Sequence, residues 1–136
     1  LMTKINIIIP VSDYEIAEKY YLDAMSFAYR ERLFFLPVGS CDIALKLTFV
    51  DDEAKSHCPP QKRFPIFSYK LEKNFLSYCK RIHANGALIE TAFSHPGGYY
   101  ASVYDPDGNQ FEIMCENFEE DDTSINFSTM AFFFSF

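Results

Sequence analysis

Residues 99–116 read Tyr-Tyr-Ala-Ser-Val-Tyr-Asp-Pro-Asp-Gly-Asn-Gln-Phe-Glu-Ile-Met-Cys-Glu, a β-hairpin whose turn chemistry is explicit. Asp105 suits the first position of a type I turn and Pro106 presets φ at the second. Asp107 tolerates the third, and Gly108 supplies the positive φ that closes a three-residue loop. Counting outward from Asp105 opposite Asn109 pairs Tyr104 with Gln110, Val103 with Phe111, Ser102 with Glu112, Ala101 with Ile113 and Tyr100 with Met114. Strand side chains alternate between faces. Val103, Ala101, Phe111 and Ile113 therefore make an apolar face suited to packing under a helix. Tyr104, Ser102, Tyr100, Gln110, Glu112 and Met114 make a second face, part polar and part aromatic, suited to a ligand. Asp105, Asp107, Asn109 and Glu116 also match acidic positions of an EF-hand loop. Gln110 stands where that loop requires glycine, and the period-two pattern that follows excludes its helix.

Composition sets the frame. A chain of 136 residues, 49% hydrophobic and 18% aromatic with no Trp, is sized for one folded domain. Five acids at Glu116, Glu119, Glu120, Asp121 and Asp122 supply most of the net charge of −7, leaving −2 on the rest. No basic stripe points to nucleic acid. The apolar run Ile5–Pro10 is too short for a leader or a membrane span, so a cytoplasmic location is expected. Cys41, Cys58, Cys79 and Cys115 lack paired spacing and are read as reduced thiols.

Working back along the chain, Lys4–Val11 alternates as a strand, with Ile5, Ile7, Ile9 and Val11 inward and Lys4, Asn6, Ile8 and Pro10 outward. Ser12 or Asp13 caps a helix to about Ala24 whose stripe is Ile16, Ala17, Tyr20, Tyr21 and Ala24. Strands are expected at Phe27–Leu33, Phe34–Val38 and Ile43–Val50. After the polar, Pro59-Pro60-containing segment 51–63, a strand runs from Phe64 to Leu71. A helix over Glu72–Ala84 follows, with Phe75, Leu76, Cys79 and Ile82 inward and an Asn85-Gly86 stop. Ala87–Phe93 is a strand and Ser94–Gly98 a turn before the hairpin. Both halves read β-α-β-β-β. They overlay without a gap through strand and helix, Val11 on Leu71, Ile16 on Leu76, Leu22 on Ile82 and Ser26 on Gly86.

The Asp-Pro-Asp-Gly-Asn turn, followed by a strand carrying Glu112, resembles the last hairpin of the glyoxalase, bleomycin-resistance and extradiol-dioxygenase (vicinal oxygen chelate) superfamily. The resemblance implies an α+β fold. Two βαβββ modules (4–50 and 64–118, linker 51–63, acidic then Phe-rich tail 119–136) would form a mixed sheet curled around a cleft, with helices on the convex side. In the family's metal enzymes a ligand occupies the place of Glu112. By position the others fall on Asn6, on Ile66 through the internal repeat, and on one of Ala44, Lys46 or Thr48. Of these only Glu112 is a good donor for a divalent ion.

The expectation is therefore a metal-free, cytoplasmic protein without a cofactor that binds a small flat or cationic molecule. Tyr100, Ser102, Tyr104, Gln110, Glu112 and Met114 form one wall, with Asn6, Ile8, Lys46 and Ile66 opposite. Likeness to bleomycin-resistance proteins implies a homodimer with its groove between subunits. The alternative is a lyase, isomerase or dioxygenase that uses a divalent metal, or Glu112 as a general base. A closed barrel in which Glu112 pairs with Lys46 is the plain structural reading. Cys79 with His83 is read as a buried thiol and a surface imidazole rather than a zinc pair. His57-Cys58 is read as linker, and His95 as a turn or cleft-rim residue. The Phe-rich segment 125–136 is expected to pack on the domain, in the cleft or on a second subunit.

Overall fold

The computed structural model describes residues 5–38, 43–51, 64–120, 122 and 132–136. The expected linker beyond Asp51, including His57-Cys58, and the whole segment 123–131 lie outside these. In the first module, β1 (Ile5–Val11) runs parallel to β4 (Ile43–Phe49). β4 pairs antiparallel with β3 (Leu33–Phe35), and β3 with β2 (Ala28–Arg30), giving the order β1-β4-β3-β2. The second module repeats that order with β5 (Pro65–Leu71), β8 (Gln110–Cys115), β7 (Gly98–Tyr104) and β6 (Leu88–His95). A further strand, β9 (Phe132–Phe133), is added on the β6 edge. The β7–β8 hairpin has all five pairs counted from its turn, with Gly108 at φ 82° and the turn amide Gly108 N donating to Asp105 O at 3.0 Å.

The helices depart from the simple pattern. α1 (Tyr14–Lys19), capped by the Asp13 carboxylate, continues as a π-helical turn over Tyr20–Ala24. Its buried face is Ala17, Tyr20, Tyr21 and Ala24, while Ile16 is 56% exposed. α2 (Phe75–Ala84) starts three residues later than expected because Asn74 adopts a left-handed φ of 62°. It buries Phe75, Tyr78, Cys79 and Ile82 and leaves Leu76 only half-buried. Its stop is as read: Gly86 has φ 106°, and Ala87 N reaches Ile82 O in a Schellman bond. Ser26, the counterpart of Gly86, also has positive φ, at 56°. The gapless overlay thus holds in the first strands and at this stop. Within the helices it fails, because the buried Ala17, Tyr20, Tyr21 and Ala24 match Phe75, Tyr78, Cys79 and Ile82, two residues out of step.

Two strand boundaries also differ. The expected strand Phe27–Leu33 is broken by Glu31-Arg32, both at positive φ (53° and 66°), so β2 and β3 form a tight hairpin. β6 runs to His95, and only Pro96-Gly97 turn.

A single apolar cluster joins the modules: Tyr21 lies 6.3 Å from Phe111 and Phe27 5.9 Å from Tyr69, ring to ring. The joint is pinned by the hairpin turn. Asp105, 2% exposed, accepts from Tyr21 Oη at 2.8 Å, Asp107 N at 2.9 Å, Asn109 N at 2.8 Å and Asn109 Nδ2 at 2.8 Å. Asn109 Nδ2 also donates to Pro10 O at 2.8 Å, and Ser12 donates to Asp107. Burial raises the Asp105 pKa against the pull of these donors. Tyr20 donates to Tyr104 O and accepts from Leu88 N at 3.0 Å, and burial pushes it up to about 12.

Candidate functional site

Register places the concave side of the second sheet on a grid. Residues that pair across neighbouring strands share a face. One row runs Phe133, Phe93, Tyr100, Met114 and Lys70. The next runs Thr91, Ser102, Glu112 and Ser68, and a third starts Leu88, Tyr104 and Gln110. The wall read from the hairpin is therefore one surface, aromatic along one row and polar along the next. Tyr104, Gln110, Glu112, Met114 and Tyr100 are half-buried.

Hydrogen bonds tie the polar row together. Gln110 Nε2 donates to Ser102 Oγ at 2.6 Å, and Ser102 Oγ donates to Glu90 Oε2 at 3.2 Å. Those neighbours cover Ser102, which is 1% exposed, so it orients them and offers little surface to a ligand. Burial, then the hydrogen-bonded carboxylate of Glu112, pushes the Tyr100 phenol up to about 12. Tyr100 therefore stays neutral and available as a donor to Glu112. Glu90 was not foreseen. A register shift between Ile89 and Thr91 inserts it as an extra residue, so alternation alone cannot place it on this face.

The first sheet offers different chemistry. A cavity of about 490 Å³ is lined by Asn6, Tyr14, Glu31, Arg32, Leu33, Lys46 and Leu47. It brings Asn6 and Lys46 together, and the second-sheet wall is not part of its lining. Ile8 is 51% and Ile66 37% exposed, Ile66 at the β5 register shift between Pro65 and Phe67. Phe35 carries the Arg30 guanidinium 4.2 Å above its ring.

The two grids identify the residue equivalent to Glu112. Val11 pairs with Phe49 and Leu71 with Cys115; three residues back, Ile8 pairs with Lys46 and Ser68 with Glu112. The first-module counterpart is thus Lys46. Lys70 and Glu116 form an ion pair at 2.7 Å, and among the described residues none joins Lys46 to Glu112. The donor set at the family's ligand places is an amide, a hydrocarbon, an ammonium and one carboxylate, which does not suit a divalent cation. Among the described residues no group of three or more His, Cys, Asp or Glu side chains is placed to hold a metal.

Cys79 is fully buried, and desolvation pushes its thiol up to about 12, while His83 is exposed. His95 Nδ1 accepts from Gly97 N at 3.0 Å, a turn bond. Glu119 and Asp122 of the acidic run, expected to be a tail, are anchored. Glu119 Oε2 accepts from Leu76 N at 2.9 Å and so caps α2, whose Asn74 makes no side-chain cap. Tyr99 donates to Asp122 Oδ2 at 2.6 Å and accepts from Glu119 N at 3.2 Å. Of the segment 125–136, the described residues 132–136 pack on the domain, one of the three expected outcomes, with Phe134 6.1 Å from Tyr99 and Phe136 6.3 Å from His83, ring to ring.

No helix among the described residues is long and apolar enough to cross a membrane. No curated protein matches the chain in sequence. Solved structures do match in fold. UcmS2 is 18% identical, with a TM-score of 0.67 over 84% of this chain and 98% of that one. TnmS3, an antibiotic binding protein from Streptomyces sp. CB03234, is 20% identical, with a TM-score of 0.58 over 86% and 98%. A glyoxalase/dioxygenase from Nostoc punctiforme is 19% identical, with a TM-score of 0.62 over 83% and 90%. Residues 4–113 match the family model, and the chain belongs to the Glyoxalase/Bleomycin resistance protein/Dioxygenase superfamily.

Proposed function

We propose that this chain is a binding protein of its family, holding a small, flat organic cation on the concave wall of the second sheet without a metal. The observation that carries this reading is the wall itself. Glu112 and Glu90 supply negative charge beside the rings of Tyr100 and Phe93, and those two rings lie 5.0 Å apart. A planar cation gains ring contact and charge neutralisation there together. Lys46 at the place equivalent to Glu112 supports the metal-free part, because an ammonium repels a second cation where the family's enzymes use a ligand. Likeness to an antibiotic binding protein is in keeping with sequestration rather than turnover.

The working unit we propose is a homodimer. Ile8, 51% exposed, and Ile66, 37% exposed, leave apolar surface on both sheets that a second copy would bury. Sedimentation equilibrium tests this: a dimer that dissociates on Ile8→Glu supports it, and an unaltered chain that sediments as a monomer contradicts it.

Ethidium, a planar cation, and a naphthalene sulfonate, a planar anion, test the ligand class by thermal shift. Ethidium raises the melting temperature and the sulfonate does not; Glu112→Gln removes most of the ethidium effect. A stabilisation by both dyes alike, or by neither, contradicts the reading.

A further inference from the structure

The last residues of the chain lie beyond the segment matched to the family, yet they reach the ligand wall. β9 pairs with β6 at Phe93–Phe133 and Ser94–Phe132, and Phe134 N donates to Ala92 O at 2.8 Å. That register puts Phe133 on the same face as Phe93 and Tyr100. The Phe133 and Phe93 ring centroids are 5.3 Å apart, and those of Phe93 and Tyr100 are 5.0 Å apart. The next residue, Phe134, faces the other way and packs against Tyr99. The tail is thus held by its strand pairing and by the partly buried Phe134 and Phe136, and Phe133 is left 65% exposed at the end of an aromatic row. Anchoring the tail does not require a large apolar side chain in that position, and exposing one to water is unfavourable. Contact with a ligand would offset that cost.

We infer that Phe133 is a ligand-contacting residue: the C-terminal strand completes a three-ring platform, Phe133–Phe93–Tyr100, and extends the site to fused-ring cations longer than two rings can cover. This rests on the ligand class proposed above. The negative charge comes from Glu112 on β8 and Glu90 on β6, in the row beside the rings, so such a cation lies with its rings along Phe133, Phe93 and Tyr100 and its charge over that adjoining row.

Fluorescence titration of the full chain with ethidium, run beside melting curves, tests the assignment. Phe133→Ala weakens ethidium roughly three- to tenfold, as expected for one lost ring contact, while melting stays within about 1 °C of the unaltered protein. Phe133→Tyr restores the affinity. Phe134→Ala lowers melting, because its ring holds the strand. If Phe133→Ala binds ethidium normally while Glu112→Gln weakens it, the wall reading stands and the role of Phe133 falls. A melting loss in Phe133→Ala as large as in Phe134→Ala assigns the ring to anchoring and also overturns the inference. Absence of ethidium binding by the unaltered chain overturns both.

Discussion

Lys46 in the first sheet and Glu112 in the second occupy the same place in a repeated strand order, and they carry opposite charge. The modules diverge elsewhere in parallel with this. The first has a π-helical turn in its helix, an exposed three-residue strand at its β2 edge, and a cavity bordered by Lys46 and Arg32. The second has a regular helix, an edge covered by β9, and a wall bearing Glu90 and Glu112. Register and core are shared because burial specifies them; a one-residue slip would turn every inward side chain outward. Concave residues are free of that constraint, so charge there follows use. The lesson is that an internal repeat can preserve geometry while splitting a site into two chemistries.

If the modules are one cooperative body, alkali should unfold them together, and this is the largest effect expected. Tyr20 in the joint and Tyr78 in the second module are both pushed up to about 12 by burial. A raised phenol contributes stability that is complete below its ordinary value of 10.0 and is lost as pH climbs toward 12. Each contributes about 2–3 kcal/mol. Phenolate absorbance and circular dichroism should change in one step between those values; separate steps would break the shared-core picture.

Asp105→Ala attacks the joint alone. It leaves the Tyr21 hydroxyl and two turn amides without their acceptor, at a cost of about 3 kcal/mol in urea unfolding, with the slope unchanged if the modules still unfold as one. Ending the chain after Asp122 makes the second edge resemble the first. It removes β9 and the partly buried Phe134 and Phe136 and should cost about 2 kcal/mol, or dissociate a dimer. Unchanged melting and mass would show that the covered edge is incidental. The smallest effect belongs to Glu119→Ala, which uncaps α2 and should cost about 1 kcal/mol, with no counterpart in the first module, where Asp13 caps its own helix.

Much of this was legible in the chain. The closing hairpin could be paired residue by residue because Asp-Pro-Asp-Gly-Asn defines the loop and the period-two pattern defines the faces. The helix stop at Asn85-Gly86 was legible for the same local reason. Glu31-Arg32 was not, since neither residue advertises positive φ, and a π-turn has no local signature at Tyr20–Ala24. Long-range devices were also hidden: Glu119 caps a helix 43 residues away, and Tyr21 finds its acceptor 84 residues on. Six wall residues follow from alternation, whereas Glu90 enters through a bulge and Phe133 through a strand whose docking no local pattern reports. Lys46 was one of three possibilities until the parallel register selected it.

Calorimetric titration of the chelator-treated protein with zinc, nickel and manganese, each alone, addresses the divergence of the two sheets most directly. No stoichiometric ion is expected at micromolar concentration, because one carboxylate opposed by an ammonium at the equivalent place makes too poor a donor set. One ion bound per chain, with an affinity that Glu112→Gln abolishes, would contradict it.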